Sequence, residues 1–253
     1  MKIALVGYGR MGRAVEAQAE ARGHEVVACL GREQLETPPE ELATRLADAE
    51  VAVDFTVATL VPGVVRAAAL AGASLVVGTT GLEEDAYEAM RDAEGIGIVH
   101  GPNFSIGVHL FFRLARTAAQ LADAVGGYDT HVHEAHHRHK RDHPSGTAWR
   151  LADLLVDELG GKSRWRPGPP DGRADGETLY VTSTRAGEIP GTHTVGFEGT
   201  HDRIELTHEA RGRDGFAAGA LRAAEWVAGR KGVFTFTNVM DRILDTDHGG
   251  STR

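Results

Sequence analysis

One cysteine, Cys29, in 253 residues leaves no intrachain disulfide to form, and so scarce a thiol fits a reducing compartment, with the cytoplasm as the expected location. Long apolar runs are missing as well. Nothing approaches the ~18 uninterrupted apolar residues that a membrane-crossing helix needs. The N-terminal run Lys2-Ile-Ala-Leu-Val-Gly7 stops at glycine too early for a secretory signal, so neither membrane insertion nor export is expected. Positive charge is the scarcer sign, 27 Lys and Arg against 36 Asp and Glu for a net −9, and no basic stripe relieves it, which argues against nucleic acid as the main partner. Internal repeats and low-complexity tracts are absent too. What is left is a globular composition, 42% hydrophobic, sufficient for one large or two ordinary domains.

Histidine, by contrast, is concentrated. Of 13 in the chain, six (131, 133, 136, 137, 139, 143) fall in and around Glu134-Ala-His-His-Arg-His-Lys-Arg-Asp-His-Pro-Ser-Gly-Thr-Ala148. Such a cluster can hold a metal, exchange protons or line a solvated loop. His133-Glu-Ala-His-His137 matches H-E-x-x-H, which binds zinc only where a helix brings its histidines together one turn apart. Tyr128, Thr130 and Val132 just upstream alternate as in a strand, and Pro144 closes the loop, so no metal is expected. Downstream, Trp149 to Leu159 carries apolar residues at 151, 154, 155, 156 and 159, the stripe of a helix packed on one face. Ser145-Gly146-Thr147 then stands at a helix N-terminus, where open N–H groups and the dipole favour an anion, and Lys140 is near in sequence. A carboxylate or phosphate would dock there.

The whole run, Glu-Ala-His-His-Arg-His-Lys-x-Asp-x-Pro-Ser-Gly-Thr-Ala, resembles the signature of the dihydrodipicolinate reductase family. The resemblance implies NADH- or NADPH-dependent reduction of 4-hydroxy-tetrahydrodipicolinate to tetrahydrodipicolinate, with loss of water, in lysine and diaminopimelate biosynthesis. It implies His136 as the acid/base group with Lys140 as its cationic partner. It implies His137, Ser145, Gly146 and Thr147 as contacts to a small dicarboxylate, and a homotetramer formed through the sheet of the substrate domain. Two readings of other kinds stand beside it: another two-domain NAD(P)-dependent dehydrogenase, and a non-catalytic dinucleotide sensor, since fold does not fix function.

The N-terminal run reads as a parallel strand buried on both faces, and it leads into Gly7-Tyr-Gly9-Arg10-Met11-Gly12 and then a stretch of helix formers ending at Gly23. Strand, G-x-G-x-x-G and helix in that order predict a Rossmann-type doubly wound parallel sheet, α/β in class. Gly7, Gly9, Arg10, Met11 and Gly12 would form its pyrophosphate loop. After the second strand, His24 to Leu30, Arg32 stands where an NAD site places an acid. It is either a ligand to the 2′-phosphate of NADP or a solvated surface arginine. Strand signals at Ala49–Thr56 and Ser74–Gly81, each ending in polar or glycine residues, put Phe55, Thr56, Gly78, Thr79 and Thr80 along the cofactor groove. A fifth strand, Ile96–His100, exits through Gly101-Pro102-Asn103-Phe104. The family resemblance places Gly78-Thr79-Thr80 and this exit among the dinucleotide contacts.

Residues 1–105, completed by 214–253, are the expected dinucleotide-binding domain. Residues 106–213 are the expected substrate and oligomerisation domain, α+β with a mixed or antiparallel sheet. Its helix over 106–125 has apolar positions at 106, 110, 111, 114, 118, 121 and 125, and its strands lie near 128–134, 179–184, 192–197 and 203–208. Residues 160–176, rich in Gly and Pro, read as a long loop. A helix from Phe216 to Val227 returns to the first domain, and before it Arg213 matches a family residue that binds a substrate carboxylate.

Overall fold

The computed structural model of the chain describes residues 1–246; the remainder of the expected completing segment, 247–253, lies outside the described residues. Two compact units are present, one made of Met1–Ile106 with the stretch from Arg213 onward, the other of Gly107–Gly212.

In the first unit β1 (Lys2–Val6), α1 (Arg10–Ala21), β2 (Glu25–Leu30), α2 (Arg32–Leu35), α3 (Pro39–Leu46), β3 (Val51–Asp54), α4 (Val61–Ala71), β4 (Ser74–Val77), α5 (Glu84–Asp92) and β5 (Gly97–His100) follow one another. After the second unit the chain comes back as α8 (Asp214–Val227), β11 (Gly232–Thr235) and α9 (Phe236–Thr246). All pairings are parallel, in the order β11-β5-β4-β3-β1-β2. The strands alternate between two cores. Ala4, Val6, Ala52, Leu75, Val77 and Ile98 pack with α3, α4 and α5, while Ile3, Leu5, Val51, Val53, Val76 and Val99 pack with α1, α8 and α9. Burial on both faces is why these strands are unbroken apolar runs in the sequence. Close packing of α8 depends on Gly219, where an added Cβ would lie 1.7 Å from the Phe104 carbonyl oxygen.

The second unit contains α6 (Ile106–Val125, its first residue belonging to the first unit), β6 (Asp129–His136), α7 (Gly146–Glu158), β7 (Arg164–Pro167), β8 (Thr178–Arg185), β9 (Thr192–Glu198) and β10 (Arg203–Glu209). Its sheet runs β10-β9-β6-β8-β7 and is mixed: β6 is antiparallel to β9 and parallel to β8. Two sequence expectations are corrected here. Part of the expected loop over 160–176 is strand β7, paired in parallel with β8, and Trp165 within it rests edge-on against Trp149 with ring centroids 4.9 Å apart. Local composition reads as loop because the pairing partner is distant in sequence. On α6 the leucine positions do not form the buried face. Leu110, Leu114, Leu121 and Val125 are exposed, while Val108, Phe111, Phe112, Ala115 and Ala119 meet the sheet. Two aromatic side chains beside two alanines bury more area at closer approach than the leucines would. Among the described residues, no helix is long and apolar enough to cross a membrane.

Candidate functional site

The residues expected to hold a dinucleotide all follow carboxyl ends of parallel strands. Gly7 to Gly9 join β1 to α1, whose first turn holds Arg10, Met11 and Gly12, Arg32 follows β2, Phe55 follows β3, Gly78 to Thr80 follow β4, and Gly101 to Phe104 follow β5. Strand order reverses at β1, between β2 and β3, which is where such sheets open a crevice for a ligand. Gly7 has φ +92, and an added Cβ would come within 2.6 Å of the Phe55 carbonyl oxygen; one on Gly12 would come within 2.6 Å of the Gly7 carbonyl oxygen. Those two glycines serve the tight turn and the helix–strand approach. Gly9 has open space instead, with nothing within 4 Å of such a Cβ, and α1 carries no side-chain cap and no acid in its first turn. Uncapped N–H groups beside open space fit a pyrophosphate.

Beneath this loop Asp54 is wholly buried and accepts hydrogen bonds from the Thr56 and Thr79 hydroxyls, each at 2.6 Å; the Thr56 N–H donates to Thr79 Oγ1 at 2.9 Å. Burial pushes the Asp54 carboxyl up to about 6, against the pull of those hydrogen bonds. The three residues tie the ends of β3 and β4 together, so that Phe55 lies over Gly78, where a Cβ would be 2.2 Å from the ring. Phe104 is buried against Phe236 with centroids 4.6 Å apart, so a ligand at this turn would meet its backbone. Met11 and Asn103 are half-buried, and Arg10, Arg32, Thr80 and Pro102 are exposed.

In the second unit, alternation along β6 buries Thr130, Val132, Glu134 and His136 and turns His131 and His133 to the opposite face, where His133 Nδ1 meets Thr182 Oγ1 at 2.8 Å. The H-E-x-x-H pattern needs His133 and His137 one helical turn apart, whereas here residues 133–136 are strand and His137 follows its end, so that geometry is not met. Strand register then supplies what the local sequence does not show: Arg185 stands opposite His136, and His193 opposite Glu134. The Glu134 carboxylate accepts from His136 Nδ1 and, at 2.7 Å, from Arg185 Nη2. Burial raises its pKa, but the hydrogen bonds from His136, Arg185 and Ser183 outweigh this and bring it to about 2. The same Arg185 nitrogen donates to the Asp142 carbonyl oxygen at 2.6 Å, and the Asp142 carboxylate pairs with Lys140 at 2.9 Å. His193 is buried, its Nε2 3.0 Å from Ser145 Oγ and its ring edge-on to His136 at 5.1 Å. Burial, followed by the charge of His136, pushes His193 down to about 4 and keeps it neutral at pH 7.

Glu134, His136 and His193 place potential ligand atoms within 4.8 Å of one another. Both Glu134 oxygens already accept hydrogen bonds, one of them from a guanidinium, which disfavours a cation at the same spot. Ser145 is the N-cap of α7, its oxygen 3.3 Å from the Ala148 N–H. Its side chain is thus committed to the helix and to His193, and a ligand would meet the backbone of this turn. Gly146 is exposed with open space around it, and Thr147 is half-buried. His137 is half-buried with Nδ1 enclosed and unpartnered. His139 and His143 are exposed. Arg213, exposed, precedes α8 and belongs to the first unit.

Arg185, His193 and Asp54 escaped the sequence reading. A signal for the first two exists: on β8 and β9 the inward positions run Leu179, Val181, Ser183, Arg185 and His193, Val195, Phe197, so each strand carries a charged or titratable residue where its alternation calls for an apolar one.

Comparison with known proteins gives the same assignment from both halves of the chain. Residues 1–104 match the family description "Dihydrodipicolinate reductase, N-terminus", and residues 107–240 match "Dihydrodipicolinate reductase, C-terminus". A 4-hydroxy-tetrahydrodipicolinate reductase of Alkalilimnicola ehrlichii is 42% identical over 91% of this chain and 94% of its own length. One from Myxococcus xanthus is 47% identical over 75% of this chain and 71% of its own length. A dipicolinate-bound dihydrodipicolinate reductase of Paenisporosarcina sp. TG-14 shares the fold with a TM-score of 0.75, at 22% identity over 94% of this chain and 98% of that one. With both family halves matched in order and a relative aligned along nearly its full length, the chain belongs to the dihydrodipicolinate reductase family.

Proposed function

We infer that the chain is a 4-hydroxy-tetrahydrodipicolinate reductase, an oxidoreductase of lysine and diaminopimelate biosynthesis. The observation that carries this is the joint match of both halves to the family, with relatives of that activity at 42% and 47% identity. Residues 1–105 with 214–253 bind the dinucleotide, and residues 106–213 bind the substrate. Bound NADH or NADPH supplies the hydride. Gly7, Gly9, Arg10, Met11 and Gly12 take the pyrophosphate, while Phe55, Gly78, Thr79, Thr80 and Gly101 to Phe104 line the rest of the groove. The proton that must accompany hydride transfer passes at His136, since imidazole both gives and takes a proton near neutrality. Lys140, a compact cation, offsets negative charge on the substrate, and the start of α7 at Ser145, Gly146 and Thr147, with His137 and Arg213, holds its carboxylates.

Arg32 favours NADPH, because a cation stands where an acid would repel the 2′-phosphate. Arg32→Ala should raise the KM for NADPH more than that for NADH, and equal effects would remove the role. The reading as a whole is tested by following oxidation of NAD(P)H on addition of the product of dihydrodipicolinate synthase, made in the same cuvette. Substrate-dependent oxidation is expected. Its absence, with dinucleotide binding intact, would favour the sensor, and oxidation with other amino or hydroxy acids alone would favour a different dehydrogenase.

A further inference from the structure

We propose that Glu134 and Arg185 are positioning residues that set the working nitrogen of His136 and clamp the Lys140 loop to the strand that carries it. This rests on the reductase reading above. A carboxylate without a proton can only accept, and Glu134 is held ionised by the cation at its other oxygen, so His136 Nδ1 must be the protonated nitrogen. Nε2 is left as the atom that exchanges a proton. The backbone makes room for it: Gly191, at φ +146, lies against the ring, and a Cβ there would stand 3.0 Å from Nε2. Any side chain at that position would crowd the nitrogen that substrate has to reach.

Arg185 does a second task with the same nitrogen. Nη2 bridges the Glu134 carboxylate at 2.7 Å and the Asp142 carbonyl at 2.6 Å, while Nη1 donates to the Thr184 carbonyl at 2.8 Å. Asp142 is two residues beyond Lys140 and pairs with it at 2.9 Å. Two backbone bonds pin the loop's entrance to the turn after β8, from Ala186 N–H to the His136 carbonyl at 3.0 Å and from Arg138 N–H to the Gly187 carbonyl at 3.1 Å. One guanidinium therefore joins the acid/base side chain, the carboxylate that orients it and the loop that carries the cation. Both Glu134 oxygens and both terminal nitrogens of Arg185 are engaged by protein groups, so the pair acts through His136 and the loop, a positioning role.

The experiment is a nitrogen-15 measurement of the His136 ring in the whole unliganded protein at alkaline pH, assigned with His136→Gln, alongside steady-state kinetics of Glu134→Gln and Arg185→Lys. In the wild type, His136 should be the Nδ1–H tautomer; an Nε2–H ring there would overturn the proposal whether or not any variant folds. In Glu134→Gln the amide oxygen has to serve Arg185, which turns the NH₂ toward His136 and forces its proton onto Nε2. Turnover should fall roughly 10²-fold or more with KM changed little, the pattern of a misdirected acid/base group. Turnover within threefold of wild type, or an unchanged tautomer, would overturn the role of Glu134. Arg185→Lys should raise the KM for the dicarboxylate by about tenfold, because the loop loses its clamp; unchanged KM and turnover would overturn the clamp. If the wild type failed to reduce 4-hydroxy-tetrahydrodipicolinate, the functional reading would fall, whereas the substrate-free tautomer measurement would still judge this one.

Discussion

A buried carboxylate that accepts from a histidine on one side and an arginine on the other leaves the histidine no choice of tautomer, and this divides the histidine cluster into working and ornamental members. His136 is buried beside Glu134, while His139 and His143 stand in solvent. His136→Gln should lower turnover on the order of 10²-fold or more with little change in KM, and Lys140→Ala should lower it comparably. His139→Gln should stay within twofold or so of wild type, since an exposed side chain away from such features changes little. Steady-state kinetics of the three variants checks the division, and loss of activity in His139→Gln with retention in His136→Gln would reverse it. Dialysis against a chelator should leave turnover unchanged; inactivation reversed by zinc would bring a metal back to Glu134, His136 and His193. The sequence put His136 and Lys140 into one signature because they are near neighbours along the chain. Arg185 and His193 show in the sequence only as polar residues at inward strand positions, because β6 meets them only by pairing with β8 and β9.

Among the elements, α7 ties stability to binding most directly. Its N-cap Ser145 satisfies the Ala148 N–H and meets the buried His193 Nε2 at 3.0 Å. Ser145→Ala removes a cap, worth about 1 kcal/mol, and strands a buried ring nitrogen, so destabilisation on the order of 2 kcal/mol is expected. The same change should raise the KM for the dicarboxylate several-fold by loosening the start of the helix, and Ser145→Thr, which keeps the oxygen, should restore most of both. Thermal melting and KM measured together test the coupling; an effect on KM without one on stability would sever it. The helix itself was legible in the apolar stripe at 151, 154, 155, 156 and 159, of which Leu151, Leu155 and Leu159 are buried and Leu154 and Val156 half-buried. The exposed leucines of α6 show the limit of that method, since a helix with two apolar stripes does not say which one the sheet will take.

At the level of the whole molecule, acid should act in opposite senses through three buried groups. His193 lies near 4 rather than its ordinary 6.5, so the unfolded chain takes up its proton first and stability is lost as pH falls from 6.5 toward 4, by up to about 3 kcal/mol. Glu134, at about 2 instead of 4.5, adds a further loss below pH 4.5. Asp54 works the other way: raised to about 6 from 3.8, it is protonated first in the folded chain, so stability is gained as pH falls between those values. His193→Gln should therefore flatten the decline of melting temperature between pH 6.5 and 4, and Asp54→Asn should steepen it. A melting profile in which neither variant differs from wild type would refute both assignments. The second prediction at this scale is assembly. The face of the second sheet that carries His131, His133, Thr182, Thr194 and Thr207 has no helix among the second unit's core packed on it, and we expect it to close a homotetramer. A light-scattering mass of a monomer at micromolar concentration would rule this out.

By itself the amino-acid sequence determined what short-range physics and local order can write: the parallel apolar runs, the glycine loop ahead of its helix, the histidine signature and its capped turn, and through these the family. Tertiary structure decided the rest. Strand β7 forms inside an apparent loop and β11 adds a sixth strand from the far end of the chain, because a strand needs a partner and both partners lie distant in sequence. Asp54 became the tie between β3 and β4 only when two threonines from different strands met it. Arg185 and His193 joined Glu134 and His136 because the register of a mixed sheet, which no local pattern states, set them opposite one another.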